Sequence, residues 1–302
     1  MIVAMFPGQG AQAVGMGRAL ADAFPVARRT FEEADEVLGY ALSQICFEGP
    51  VERLTETQIC QPALVATSTA AFRVAQDEAG LRPGLVIGHS LGEYSALVAA
   101  GAMAYPDAVR LVAERGAAMR AAAQASPGAM VALLGPSDEE AMALAAEVGD
   151  AWPANFNCPG QVVVSGTLEA IDRLVALASE RGVRAARLAV DGGFHSPLVA
   201  AAAERLRPAL AAWTPAPADP PFLSTTTGAL EPPERLHEVL LDQLTSPVRF
   251  GDGVEAAIAL GAERFIELGP GRVLSGLVRR VRRDLPTAQV GEPGDLSALV
   301  VV

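Results

Sequence analysis

Leu85-Val86-Ile87-Gly88-His89-Ser90-Leu91-Gly92-Glu93-Tyr94-Ser95-Ala96 decides how this chain is read. An apolar run, Leu85 to Ile87, is broken there by a glycine-flanked serine and followed by residues compatible with a helix. A buried strand that turns sharply into a helix around G-x-S-x-G is a nucleophile elbow, with the serine at the apex of the turn. Gly88 and Gly92 have a steric reason to be there, since a side chain at either place crowds a strand packed close against the following helix. Taken alone, the five-residue pattern also fits an ordinary Gly-rich strand-to-helix loop. The strand before it and the helix after it favour Ser90 as a nucleophile.

The chain around this elbow has 302 residues, 51% of them apolar, enough to bury one large core or two smaller ones. Its amino terminus lacks a basic leader segment, and no apolar run is long enough to cross a bilayer without charges or prolines intervening. We therefore expect a cytoplasmic protein with no membrane association. Cys46, Cys60 and Cys158 are few and widely spaced, which suits neither a disulfide framework nor a zinc site, so no metal is expected. A formal net charge of −12 argues against a general affinity for nucleic acid. All 23 cationic residues are arginine, which excludes lysine Schiff-base chemistry and leaves every cationic role to a guanidinium. Only His89, His195 and His237 supply an imidazole.

Taken in order, Ile2 to Phe6 reads as a buried strand ended by the permissive loop Pro7-Gly8-Gln9-Gly10, whose backbone N–H groups can face a ligand. Helical material runs to about Gly39. Beyond an irregular region at Phe47-Glu48-Gly49-Pro50, a helix is expected from Gln61-Pro62, with proline in its first turn, to Gly80. After the elbow, Pro106 to about Gln124 is a further helix. The pattern changes at Ser126-Pro127-Gly128. A strand over 129–134, a helix capped at Ser137, strands over 152–157 and 161–165, a helix from Thr167 to Arg181 and a strand over 183–190 give the order βαββαβ, the ferredoxin-like pattern. From Ser196 strands and helices alternate again, with strands over 222–225 and 264–268. The fold class is therefore α/β: an α/β-hydrolase-like large domain, residues 1–125 and 196–302, with a mostly parallel sheet, and an inserted ferredoxin-like small domain, residues 126–195.

Seven motifs carry a family resemblance across essentially the whole chain. They are Phe6-Pro7-Gly8-Gln9-Gly10-Ala11-Gln12, Gln61-Pro62-Ala63-Leu64, Gly88-His89-Ser90-Leu91-Gly92-Glu93-Tyr94, Arg115-Gly116-Ala117-Ala118-Met119, Phe194-His195-Ser196, Gln243-Leu244-Thr245-Ser246-Pro247-Val248 and Glu267-Leu268-Gly269-Pro270-Gly271. In this order they resemble the malonyl-CoA:acyl carrier protein acyltransferases of bacterial fatty acid synthesis and the acyltransferase domains of polyketide synthases.

The resemblance implies that Ser90 takes a malonyl group from coenzyme A as an ester and passes it to the phosphopantetheine thiol of an acyl carrier protein. It makes malonyl-CoA a substrate and requires no cofactor. His195 would be the general base and then the general acid, oriented by the Gln243 backbone carbonyl in place of a carboxylate. The backbone N–H groups of Gln9 and Leu91 would form the oxyanion hole. Arg115 would hold the malonyl carboxylate with two parallel hydrogen bonds, and Gln61 would support Arg115 or that carboxylate. From spacing alone Arg115 is a surface helix residue paired with an acid such as Glu114. Leu91 and Phe194 are the malonyl-type choices beside the serine and the histidine, although Gly192-Gly193 departs from the commoner polyketide pattern. His89 and His237 are expected to be structural or exposed, and Asp191 solvent-facing or turn-forming.

The carrier protein is typically acidic in this family, so it needs a local basic surface on an acidic enzyme. Leu274, Leu277, Val278, Val281 and Leu285 fall on one helical face, leaving Arg279, Arg280, Arg282 and Arg283 on the others as a docking surface; a solvated charged face explains the same pattern. Arg181, Arg184 and Arg187 are the second choice. A monomer is expected. A free-standing chain beginning at its first strand favours the fatty acid role over the polyketide one. Two other classes remain: a serine esterase or thioesterase, which should place its histidine after a strand-borne acid, and a non-catalytic module that binds carrier proteins.

Overall fold

The computed structural model describes residues 1–299. Its strands are β1 (Ile2–Phe6), β2 (Leu85–Gly88), β3 (Gly128–Leu134), β4 (Ala151–Cys158), β5 (Gln161–Thr167), β6 (Arg184–Arg187), β7 (Phe222–Leu223), β8 (Arg264–Leu268) and β9 (Thr287–Val290). Five of them form a parallel sheet in the order β7-β2-β1-β8-β9. Successive side chains on a strand point to opposite faces, and here both faces are buried. Ala4 and Phe6 of β1 enter one apolar cluster, with the long helices Thr57–Ala79 and Tyr105–Ala125, while Val3 and Met5 enter another with the helices Phe250–Ala259 and Val273–Val281. Those two long helices cross closely at Gly116, where an added Cβ would lie 2.6 Å from the Gln58 Cα.

The remaining four strands form an antiparallel sheet in the order β4-β5-β3-β6, with helices Asp138–Val148 and Leu168–Glu180 on one face. That order is the one a ferredoxin-like βαββαβ unit adopts. All four strands lie between residues 128 and 187, and those of the parallel sheet lie outside this span. Both predicted caps form: Ser137 Oγ accepts from the Glu140 N–H in a reciprocal capping box, and Thr167 Oγ1 accepts from the Ala170 N–H. The small sheet is stitched to the segment after Gln243 by Phe156 N–H to the Val248 carbonyl and Val248 N–H to the Ala154 carbonyl, each 2.8 Å.

Several boundaries differ from expectation, among them the strand expected over 222–225, which pairs only at Phe222–Leu223. Pro62 lies in the sixth position of a helix that starts at Thr57, not in its first turn. The burial of Thr57, Ile59 and Cys60 extends this helix toward its amino end and offsets the single i to i−4 hydrogen bond that proline cannot make. The irregular region around residue 47 contains the short helices Leu42–Glu48 and Val51–Thr55. Only residues 184–187 of the expected 183–190 strand pair with β3, because the chain leaves the sheet edge toward Phe194. At the other edge β9, which carries no strong alternation, is recruited by pairing with β8.

Candidate active site

Ligands of parallel α/β sheets sit beyond the carboxyl ends of the strands. Both loops that matter leave the sheet there. The register pairs Phe6 of β1 with Gly88 of β2, so the Pro7–Gly10 loop runs beside the elbow, and the His89 N–H donates to the Phe6 carbonyl at 3.0 Å. The elbow is as tight as its glycines imply. A Cβ on Gly88 would lie 2.1 Å from the Gly92 carbonyl carbon, and one on Gly92 would lie 2.0 Å from the Phe6 oxygen. Ser90 is held in left-handed backbone, φ 51°, at the start of helix Gly92–Ala99.

Ser90 Oγ is 2.8 Å from His195 Nε2. On its other side His195 Nδ1 is 2.8 Å from the Gln243 carbonyl and 3.2 Å from the Ser246 carbonyl. Carbonyls only accept, so Nδ1 carries the proton and Nε2 is left to accept from the serine hydroxyl. Among the described residues no carboxylate reaches the imidazole, and Asp191 is exposed. Burial, and then the nearby Arg115 charge, push His195 down to about 3, so the ring is neutral at physiological pH. The Ser196 hydroxyl fastens the histidine loop by donating to the Gly193 carbonyl at 2.5 Å. Gly192 has a local reason too: a Cβ there would sit 2.9 Å from the Phe194 ring, which lines the cleft.

The cleft at Ser90 encloses about 80 Å³ and is bounded by Gln9, Leu91, Arg115, Phe194 and His195. Among the described residues neither the Gln9 nor the Leu91 N–H has a protein acceptor, as donors facing a ligand require. A second hollow of about 210 Å³ shares Gln9, His89, Asn155 and Leu188 with the first and runs outward past Asn157 and Gln161 to Val273 and Leu277. His89 is structural, its Nε2 2.8 Å from Asn157 Oδ1 and its ring against Phe250. His237 contacts the Trp213 carbonyl, far from this chemistry.

Arg115 is not a surface residue. It is 1% exposed, whereas its neighbour Glu114 faces solvent. Its Nη1 donates to Gln61 Oε1 at 2.9 Å and its Nη2 to Gln243 Oε1 at 2.9 Å and Ser90 Oγ at 3.2 Å, while Nε has no partner. Among the described residues no carboxylate pairs with it directly. A buried cation without a direct carboxylate partner is costly; the buried Glu93 carboxyl reaches this one only through the Gln243 amide, and the side of the guanidinium toward Ser90 is where a bound anion would neutralise it.

The structure thus brings Ser90, His195, Gln9, Leu91, Gln243, Arg115, Gln61 and Phe194 to one place. It keeps the arginines of helix Val273–Val281 and its carboxyl end apart. Arg280 donates to the Pro159 and Gly160 carbonyls, Arg282 pairs with Glu255, and Arg279 lines a separate groove with Arg264 and Arg272. Of the alternative set, Arg181 pairs with Glu147 and Arg187 with Asp172. Two contributors escape sequence reasoning: the Gln243 side chain and Glu93. The signals for Glu93 are its place in the Gly88–Tyr94 motif and its being a lone acid in an otherwise uncharged helix, three residues after the serine. Among the described residues no group of His, Cys, Asp and Glu is placed to hold a metal, and no helix is long and apolar enough to cross a membrane.

A serine on an α/β elbow within hydrogen-bond reach of a histidine held by main-chain carbonyls, with a buried guanidinium beside both, is an arrangement suited to acyl transfer. Comparison with known proteins agrees. Residues 3–292 match the model of the acyl transferase domain. The chain is 45% identical over 298 residues to the malonyl CoA-acyl carrier protein transacylase of Bacillus subtilis, covering 97% of this chain and 94% of that one. Its structure superposes on the acyl-carrier-protein-S-malonyltransferase of Bartonella henselae with a TM-score of 0.95 at 39% identity, covering 99% of each chain. It also superposes, with a TM-score of 0.96 at 39% identity over 99% and 98% of the two chains, on a malonyl-transacylase solved in complex with its type II polyketide synthase acyl carrier protein. The chain belongs to the malonyl CoA-acyl carrier protein transacylases of the acyl transferase domain family.

Proposed function

We propose that the protein transfers a malonyl group from malonyl-CoA to the phosphopantetheine thiol of an acyl carrier protein, supplying extender units to fatty acid or polyketide synthesis. The observation that carries this reading is the buried Arg115 with no carboxylate partner, 3.2 Å from the nucleophile. A malonyl thioester brings a carboxylate that such a guanidinium can hold, and acetyl does not.

In the first half-reaction Ser90 Oγ attacks the thioester carbonyl while His195 Nε2 takes its proton. The oxyanion is received by the Gln9 and Leu91 N–H groups, and collapse expels the CoA thiolate, which takes the proton back from His195. The carrier thiol then gives its proton to His195 and attacks the malonyl-Ser90 ester. The serine leaves reprotonated. Serine, histidine and backbone donors suffice, so no metal or cofactor enters the scheme. The outer hollow, with Asn155, Asn157 and Gln161 on one wall, has room for the pantetheine arm common to both thiols. A histidine without an acid partner and a cation at the acyl end both count against an esterase.

Intact-mass spectrometry after brief exposure to malonyl-CoA is expected to show one malonyl adduct, located on Ser90 and absent from Ser90→Ala. An adduct that survives in the variant overturns the assignment. Preferential loss of the adduct to water in the presence of a carrier protein with a free phosphopantetheine thiol would identify a thioesterase instead.

A further inference from the structure

Glu93 lies on the elbow helix with 0% exposure and no cation in contact. Its Oε1 accepts from Ser224 Oγ at 2.9 Å, the Thr225 N–H at 2.6 Å and Thr225 Oγ1 at 3.0 Å. Its Oε2 accepts from Gln243 Nε2 at 2.5 Å. The same Nε2 donates to the Ser90 carbonyl at 3.0 Å, and the other end of that amide, Oε1, accepts from Arg115 Nη2 at 2.9 Å. One glutamine therefore touches the acid, the nucleophile's main chain and the guanidinium, while its own carbonyl faces His195.

Arg115, the Ser90 carbonyl and Glu93 together fix the direction of this chain of hydrogen bonds. An ionised carboxylate only accepts, so the Gln243 amide must present its NH₂ to Glu93 and its oxygen to Arg115. A donor at Glu93 would oppose the amide NH₂, which cannot turn over without losing the Ser90 carbonyl and facing the guanidinium N–H, so the amide is pushed off the position in which it holds Arg115. Burial, the largest influence, holds the Glu93 carboxyl above the ordinary carboxylate range, and the donors from Ser224, Thr225 and Gln243 draw it part of the way back. That both oxygens accept from N–H groups, Oε1 from Thr225 and Oε2 from Gln243, is the geometry of a carboxylate acceptor.

We propose that Glu93 is a positioning residue for malonyl selectivity: its carboxylate locks the Gln243 amide, and through it the Arg115 guanidinium, in the orientation that receives the substrate carboxylate. This inference rests on the function proposed above. Its signature is a change in the ratio of malonyl to acetyl transfer, which a purely structural role does not produce, because loss of folding lowers both rates alike.

The test measures kcat/KM for malonyl-CoA and acetyl-CoA with wild type, Glu93→Gln and Ser224→Ala, each checked for folding by thermal melting. Glu93→Gln is expected to lower the malonyl to acetyl ratio about tenfold, as loss of an oriented charged hydrogen bond does. Ser224→Ala removes a donor from the far oxygen and is expected to leave the ratio unchanged. A folded Glu93→Gln with the wild-type ratio overturns the proposal, as does an equal fall of the ratio in both variants. Should Glu93→Gln not fold, Glu93→Asp decides: it keeps the charge and draws it back from the Gln243 amide, leaving Gln243 and Arg115 themselves unchanged. A lowered ratio then supports the amide lock, and an unchanged one overturns it. Wild type that is not malonylated on Ser90 fails the functional reading itself, a result distinct from all of these.

Discussion

Arg115 Nη2 donates to Ser90 Oγ at 3.2 Å, so the buried guanidinium and the elbow serine share a hydrogen bond. A malonyl carboxylate entering the cleft competes for that N–H and for the unpartnered Nε.

Replacing Arg115 by alanine should cost malonyl transfer about 2 kcal/mol or more in kcat/KM, the scale of a charged hydrogen-bonded partner removed from a water-poor site. Acetyl transfer should change little or improve. Parallel kinetics with the two thioesters check this, and equal losses would make Arg115 a structural residue.

His195 should be insensitive to pH where free histidine titrates. With the ring held down to about 3, first by burial and then by the Arg115 charge, Ser90 acylation should stay flat from about pH 5 to 8 with no limb near the ordinary value of about 6.5. The stability consequence has a definite sign. Unfolded His195 takes up a proton near 6.5 and folded His195 only near 3, so its contribution is complete above the unfolded value and is lost as pH falls from one toward the other. Arg115→Ala removes one depressing charge, so the acid limb of its acetyl transfer should lie at higher pH than in wild type. A limb near 6.5 in the wild-type profile would contradict the buried, neutral imidazole.

Carrier docking should depend unequally on the four arginines near residue 280. Arg280 and Arg282 are engaged with the Pro159 and Gly160 carbonyls and with Glu255, leaving Arg279 and Arg283 without an ion-pair partner among the described residues. Reversing Arg279 and Arg283 to glutamate should raise the apparent KM for an acidic carrier protein and flatten its salt dependence, with little effect on Ser90 malonylation by malonyl-CoA. An unchanged carrier KM at low salt would move docking to the small sheet, where Arg184 is the member of the Arg181, Arg184 and Arg187 set without an ion-pair partner among the described residues.

Local chemistry was readable from the chain itself. The apolar runs of β1, β2 and β8, the capping box at Ser137, the Thr167 cap and the glycines of the elbow are statements about neighbours within a few residues, and periodicity and sterics report those directly. So is the alternation of strand and helix that makes a parallel sheet, and the βαββαβ run that makes an antiparallel one. Pairing that depends on a distant partner was less accessible: β9 exists because β8 offers it an edge, and the helix through Pro62 starts at Thr57 because that turn is buried.

The site divides along the same line. Ser90 at its elbow and the backbone-permissive loop at Gln9 were determined by sequence, because strand, turn and glycine spacing dictate where such groups emerge, whereas the pairing of His195 with that serine came from the family resemblance alone. Only the tertiary structure decided that Arg115, spaced like a surface helix residue beside Glu114, is instead buried against Gln61, Gln243 and Ser90, and that Glu93 reaches it through the Gln243 amide. Those contacts join positions 25 to 150 residues apart. They form where the order of a parallel sheet gathers loops at one end, a geometry that no local periodicity encodes.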